Sequence, residues 1–428
     1  MTAKEKTTTQ AVSLLLSNGD IAESIRTVDG TVFLVQRTGR VEEQKEIEES
    51  GILFVPLSKD NKLLKHGVMV IAGGVSDYDS TDALIEDIRQ YLHRYVDLTQ
   101  DFEMIATYYV LLTWVYDAFN EVPYLRFQGE YGSGKSRALL VLGAICYKTV
   151  FASGASTISP IFHILDSYRG TLVFDETDFR YSDERADIVK ILNNGNIKGF
   201  PVLRSMLSAK KEFEPQAFNV FGPKIVAMRE AFEDDALESR FITERMGDRT
   251  LRADIPINLD DSYQKEAAAL RNKLLMYRFQ NRNSIEMQVW QEGSDISPRT
   301  QQIIRPLLAV ITDEIHRARL IEVVSARNGA LTPHRRQKIE AHVAEVLHET
   351  MRNSTFEAIP LSSIVHRLIE DYGDDIERPI TSRFVGSVIR KLGIATYRTR
   401  GVFVIPVSEK EKVAAIARLY GTGMSDIA

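Results

Sequence analysis

The stretch "GEYGSGKS" at residues 129–136, set between "VPYLRFQ" and "RALLVLGAIC", limits the folds open to this chain more than any other feature. A Gly-x-x-x-x-Gly-Lys-Ser run cradles phosphate only where a strand delivers the loop and a helix leaves it. Backbone N–H groups and the helix N-terminus then converge on one anion. Both flanks are present: "YLRF" predicts a strand and "SRALLVLGAICY" a helix, which a glycine-rich turn matching by chance would not supply. The expected nucleotide-binding set is Gly129, Glu130, Tyr131, Gly132, Ser133, Gly134, Lys135 and Ser136. Gly129 and Gly134 would let the main chain approach phosphate. Lys135 would reach the terminal phosphates of ATP, and the Ser136 hydroxyl would hold Mg2+.

From 123 to about 246, short apolar strands alternate with helices, the pattern of a parallel sheet covered on both faces. "TLVFDETD" (171–178) is such a strand ending in adjacent carboxylates. Asp175 is expected at the strand tip beside the metal, and Glu176 would orient or deprotonate the attacking water. The same two acids could instead cap the following helix. Splitting a triphosphate also calls for positive charge at the γ-phosphate, often an arginine from a neighbouring subunit. "FEDDALESRF" offers Arg240 for that role, against an ion pair within the subunit to Asp234, Asp235 or Glu238. Arg299, in "SPRTQQIIRP", opens a helix and could reach the nucleotide from a helical lid. Arg305 is the second choice there, and a solvated helix face the alternative for both.

With 428 residues, 44% of them hydrophobic and 26% charged, the chain can bury more than one core. The net charge of −6 excludes a uniformly basic coat, so contact with nucleic acid must come from local clusters. Two exist. Residues 196–211 carry Lys198, Arg204, Lys210 and Lys211 without an acid, and "RPITSRFVGSVIRKLGIATYRTRGVFVIP" is wholly basic. In the latter, Arg383 would open a recognition helix and Arg398 and Arg400 would sit at a wing tip, in contact with DNA. Solvated lysines on an exposed hairpin, and a protein-docking role for the C-terminal module, are the competing readings. One cysteine, Cys146, excludes an internal disulfide and fits a reducing cytoplasm. The eight histidines show no metal-pair spacing. "MTAKEKTTTQ" lacks a signal-peptide core, and the longest apolar run (104–119) falls short of a ~20-residue span and contains Asp117, so no membrane anchor is expected and a cytoplasmic protein is.

The expected organisation is a strand-rich N-terminal region with a linking helix (1–95), an ATPase core (96–250), a helical lid (251–352), a winged helix (353–410), and a C-terminal helix and tail (411–428). The acidic run "EEQKEIEES" reads as a solvated helix face, and "SDYDSTD" as turn and cap chemistry.

"GEYGSGKS", "STISPIFHILDSYRGTLVFDETD", "ILNNGNIKG", "FNVFGPKIVAM", "DDALESRF" and "SPRTQQIIRPLLAV" occur in an order that resembles the AAA+ ATPase domains of plasmid- and phage-borne primase-helicase replication proteins. The resemblance covers about residues 100 to 315. The Ser239–Phe241 and Arg299 segments are also similar to the arginine finger and lid arginine of minichromosome-maintenance helicases. It implies an α/β P-loop fold and a homo-oligomeric ring, a hexamer, with ATP at subunit interfaces. It also implies work on single-stranded or forked DNA, a primase or other replication protein being a further partner. By position, Lys135 and Ser136 bind nucleotide and magnesium, Asp175 and Glu176 are the acid pair, and Arg240 is the finger. In ring helicases a hairpin inserted where 198–211 lies points into the pore. One departure stands out: "KIVAM" ends at Met228-Arg229, where such ATPases place an asparagine or threonine sensor, so Arg229 would have to substitute. A rival is a nucleotide-switched regulatory or scaffold protein that binds DNA or a partner without unwinding.

Overall fold

The computed structural model describes residues 8–37, 39–175, 183–207, 212–232, 234–287, 298–336, 339–373, 376 and 379–420. Glu176, Lys210 and Lys211 therefore lie outside the described residues. The chain divides into two compact units, Met1–Ile321 and Glu322–Ala428.

A six-stranded sheet organises the first unit. Its order is Phe241–Arg245, Tyr124–Gln128, Lys224–Met228, Leu172–Asp175, Thr149–Ser153 and Met69–Val70. The first five strands are parallel and the short Met69–Val70 strand closes the edge antiparallel to Thr149–Ser153. "VPYLRF", "TLVF" and "KIVAM" are apolar runs without alternation because these strands are covered on both faces. Leu172, Val173, Phe174, Ile225, Val226 and Ala227 are all buried. Truncating Phe174, fully enclosed, to alanine would cost about 3–5 kcal/mol.

Three helices, the loop helix among them, pack together against this sheet. Lys135–Ile145 follows the glycine-rich loop and lies so close to the strands that a Cβ on Gly143 would stand 2.7 Å from the Phe151 ring. Gln100–Val115, capped by Thr99, is buried along nearly its whole length. It holds its neighbours through polar tips: Trp114 Nε1 donates to the Ile145 carbonyl (2.9 Å), and the Tyr109 hydroxyl donates to the Lys224 carbonyl (3.0 Å). Asp261–Asn281 packs against both, with Arg271 Nη1 donating to the Ala144 carbonyl at 2.6 Å.

The N-terminal residues form a four-stranded antiparallel meander (Ser13–Leu15, Ile21–Arg26, Thr31–Arg37, Arg40–Gln44) and a three-stranded sheet (Thr8–Ala11, Ile52–Pro56, Ile47–Glu49). The acidic run read as a helix face is instead two strands, Arg40–Gln44 and Ile47–Glu49: pairing with Thr31–Arg37 and Ile52–Pro56 outweighs the helix preference of its glutamates. A buried ion network secures this region to the core. Arg278 Nε meets Glu23 Oε1 at 2.7 Å, its Nη1 and Nη2 meet the Asp117 carboxylate at 2.9 Å, and the Tyr147 hydroxyl donates to Glu23 at 2.6 Å. Burial by itself would raise the Asp117 carboxyl, but the Arg278 and Arg282 guanidiniums outweigh it and hold it well below the usual carboxylate range.

In the second unit, helices Ile339–Arg352, Leu361–Tyr372, Ser382–Lys391 and Lys410–Leu419 surround a core that includes Val346, Leu347, Ile364, Val385 and Ile389. A three-stranded antiparallel sheet in the order Ala358–Pro360, Val402–Pro406, Tyr397–Thr399 completes it. No helix among the described residues is long and apolar enough to cross a membrane.

Candidate active site

The strand Tyr124–Gln128 delivers the chain to Gly129, whose N–H donates to the Met228 carbonyl of the neighbouring strand (3.2 Å). A Cβ at Gly129 would stand 2.2 Å from the Met246 carbonyl oxygen and 2.8 Å from Ser133 Oγ, so no larger residue fits. Gly132 (φ 79°) and Gly134 (φ 93°) take left-handed backbone that side chains resist. Gly134 is the N-cap of the helix Lys135–Ile145 and no side-chain hydrogen bond caps it, which leaves the terminal N–H groups to an anion. Lys135 Nζ donates to the carbonyls of Gly129 (2.6 Å) and Glu130 (2.7 Å), holding the ammonium over the loop. Glu130 and Tyr131 are exposed.

Sheet order decides what faces this loop. One strand, Lys224–Met228, lies between the loop strand and Leu172–Asp175, so the tips of all three open into one cleft. That cleft, ≈ 350 Å³, is lined by residues 131–137 together with Asp175, Ala227, Met228 and Arg229. Lys135, Ser136 and Asp175 are thereby brought together, and Arg229 lines the same cleft. The donor set fits a hydrated magnesium on a phosphate, with one hydroxyl and one carboxylate from the chain. Among the described residues no cluster of three His, Cys, Asp or Glu offers an alternative metal site.

A second cleft, ≈ 370 Å³, shares Gly132, Ser133, Gly134 and Arg137 with the first. Apolar walls (Val96, Met246, Leu251, Ile255, Pro256 and Ile257) meet the charged Asp97, Arg245 and Arg249 there. Arg137, two residues past the lysine, donates to the Pro256 and Ile257 carbonyls and so pins one wall to the helix that bears the phosphate loop. An apolar slot contiguous with a phosphate cradle suits a purine and its ribose. Sequence reasoning missed these residues; the one available signal is the apolar Ile255-Pro256-Ile257 triplet outside any periodic pattern.

Arg240 lies elsewhere. Its carbonyl accepts from Tyr124 N–H at the start of the loop strand, whereas Met246 N–H bonds the Gln128 carbonyl at the loop end. Five residues at about 3.3 Å each separate the two ends by roughly 16 Å. The side chain turns further away, donating from Nε to Asn196 Oδ1 (2.9 Å) and from Nη1 to Asn193 Oδ1 (2.9 Å) and the Ala236 carbonyl (2.7 Å). Amides and a carbonyl hold it, and Glu238 is engaged with Arg126 instead. Burial, and after it the neighbouring Arg299 charge, lower its proton affinity. Arg299 lies beside it, with Nε donating to Ser239 Oγ (2.7 Å) and Nη2 to the Ala236 carbonyl (3.1 Å). The two arginines thus form one cluster at the end of the sheet away from their own phosphate loop.

Residues of the two basic clusters differ in what they face. Lys198 Nζ donates to the Asp117 carbonyl (2.8 Å) and lies 5.4 Å from the Phe221 ring. Arg204, on the hairpin Val202–Leu207/Phe213–Phe218, pairs with Asp187 at 3.0 Å and stacks on Phe162 at 4.6 Å. Both therefore have partners within the chain, while the hairpin exposes Leu203 and Phe213. In the second unit Arg383 is exposed in the first turn of Ser382–Lys391, a helix capped by Thr381. Arg398 lies over the exposed Phe403 ring (5.8 Å), and Arg400 sits at the strand turn with φ 47°.

No family model matches the chain, and no curated protein matches it. Among solved structures, the A form apo structure of the NrS-1 C-terminal region is 13% identical over 90% of this chain and 96% of that one, with a TM-score of 0.37. The active helicase Cch of SCCmec type IV is 12% identical over 95% of this chain and 80% of that one, with a TM-score of 0.45. The Aeropyrum pernix ORC1 protein in complex with DNA is 14% identical over 77% and 96%, with a TM-score of 0.23.

Proposed function

We propose that the chain is an AAA+ ATPase that assembles as a homo-oligomeric ring, a hexamer, and couples ATP hydrolysis to movement on single-stranded or forked DNA, alone or beside a primase or other replication protein. The feature that carries this reading is where Arg240 enters the neighbouring strand: its carbonyl bonds Tyr124 N–H at the start of the loop strand, roughly 16 Å by strand rise from the phosphate loop at the other end. Lys135, Ser136 and Asp175 share one cleft, and the Arg240–Arg299 pair is presented at the far end. An arginine so placed acts on a triphosphate only if a second copy brings it there.

In this reading the loop amides, the helix N-terminus and Lys135 bind the β- and γ-phosphates of ATP. Ser136 and Asp175 would hold Mg2+, which neutralises developing phosphate charge. Glu176, next in sequence to Asp175, orients the attacking water and accepts its proton. Arg240 of a neighbour, with Arg299 beside it, stabilises charge on the transferring group. Helices 251–352 serve as the lid, and the 353–410 module, with its helix, helix and strand-pair order, serves as a winged helix that engages DNA through Arg383, Arg398 and Arg400. Lys210 and Lys211, which fall in sequence between the two hairpin strands, contact the phosphate backbone.

Strand displacement on a forked duplex tests this. ATP-driven unwinding is expected, with loss on Lys135→Ala, Glu176→Gln, Arg240→Ala or Lys210/Lys211→Ala. One observation favours a second reading, a nucleotide-switched scaffold: Lys198 and Arg204 are engaged within the chain, which lowers the charge the hairpin can offer DNA. Slow ATP turnover with nucleotide-dependent DNA binding and no strand separation would select that reading.

A further inference from the structure

Arg126 stands in the middle of the strand that carries the phosphate loop, yet its guanidinium serves the finger segment. Its Nη2 lies 2.5 Å from Glu238 Oε1 and its Nη1 2.6 Å from Glu238 Oε2, a two-pronged pair with both side chains nearly out of solvent (6% and 9% exposed). Arg126 Nε also donates to Thr243 Oγ1 at 3.0 Å, and Phe232 N–H approaches Glu238 Oε2 at 3.4 Å. The guanidinium is enclosed by the Phe241 ring (5.2 Å) and Met228 Sδ (3.8 Å).

We propose that the Arg126–Glu238 pair is a positioning device for the arginine finger, an inference that rests on the trans-acting role read for Arg240 above. Glu238 ends the short helix Asp235–Glu238, and Arg240 follows two residues later. The Ala236 carbonyl of this helix receives both Arg240 and Arg299 on its outer side, so Glu238 anchors from the core the segment the two arginines grip from outside. Apolar residues would fill the Arg126–Glu238 space at no loss of stability, because a desolvated ion pair contributes little net stability. What such a pair adds is direction: two parallel charge-assisted bonds fix the rotation of the helix, where packed methyl groups would let it turn. The same guanidinium touches Met228, next to Arg229 in the subunit's own nucleotide cleft. The pair therefore stands between the cleft a subunit fills and the finger it lends.

Steady-state ATP turnover of the full chain, alone and in mixtures, tests this. Glu238→Gln and the double variant Arg126→Met/Glu238→Leu are each expected to lower kcat at least about tenfold with KM for ATP little changed, as misplacement of one catalytic group does. Turnover should recover when either is mixed with Lys135→Ala chains, which are inactive themselves but carry an intact finger. A cis defect or general loosening would not respond to that mixing. The inference is overturned if kcat does not fall, if both variants fail to fold, or if Lys135→Ala chains restore an Arg240→Ala partner but not these two. If Arg240→Ala itself loses nothing, the trans-finger reading has failed, and this inference with it.

Discussion

Lys224 opens the strand whose tip lines the cleft of Lys135 and Asp175, and its ammonium is fully buried with no carboxylate partner among the described residues. Three carbonyls receive it: Val220 (2.8 Å), Gly222 (2.9 Å) and Gly195 (3.2 Å), beneath the Tyr124 ring at 5.0 Å. Burial pushes its pKa down from 10.5 to about 7. Because the folded value is the lower one, the unfolded chain holds more protons between about pH 7 and 10.5, and stability rises with pH across that window. For one group with these two values, the gain from pH 7 to pH 9 is about 2 kcal/mol. Replacing Lys224 with methionine removes the titration and leaves three carbonyls without their donor, so Lys224→Met should be less stable at every pH. The diagnostic quantity is the difference between wild type and variant in urea unfolding free energy, at pH 7, 8 and 9. It should widen by about 2 kcal/mol over that range. A difference that stays flat, or narrows, would refute the claim that this lysine is folded in a desolvated, readily neutralised state.

Three further outcomes follow from the same geometry. Gly129→Ala must displace the Met246 carbonyl or the loop, so it should abolish binding of a fluorescent ATP analogue while the thermal midpoint shifts by only a few degrees. Arg137→Ala releases the Pro256–Ile257 wall and should raise KM for ATP about tenfold with kcat nearly intact; a fall in kcat at constant KM would remove the base-slot assignment. Asp117→Asn leaves Arg278 partly uncompensated and should cost about 3–5 kcal/mol in denaturant unfolding. Since the folded Asp117 pKa is depressed, its contribution is present above the ordinary carboxylate range and is lost as pH falls toward the folded value, so the wild-type advantage should shrink on acidification.

The core strands and the strand, glycine loop and helix at 124–145 are readable because each is a local pattern: an apolar run, a turn of glycines, a helix start. Residues that act through distance are not. Arg278 and Glu23 meet across 255 positions, and nothing local marks either as half of a buried pair. The apolar cleft beside the glycine loop is assembled from Val96, Met246 and Ile255, which no sequence window holds together. Charge counting found the basic run 196–211 but could not tell that Lys198 and Arg204 turn inward, since orientation depends on Asp117, Phe221, Asp187 and Phe162 from other elements. Met69–Val70 falls within the 1–95 stretch expected as a separate N-terminal region, yet it pairs with the core strand Thr149–Ser153. The acidic run 42–50 carried helix-favouring residues, and strand partners overrode them.

Mixing two inactive variants tests most directly whether ATP is split at a seam between two copies. Lys135→Ala lacks the phosphate lysine and keeps the finger; Arg240→Ala keeps the cleft and lacks the finger. Each alone should turn over ATP at background rate. An equimolar mixture, pairing at random, should form the complete seam in about one quarter of contacts and recover turnover in that proportion. A mixture that stays at background, or Arg240→Ala chains as active as wild type, would contradict the account.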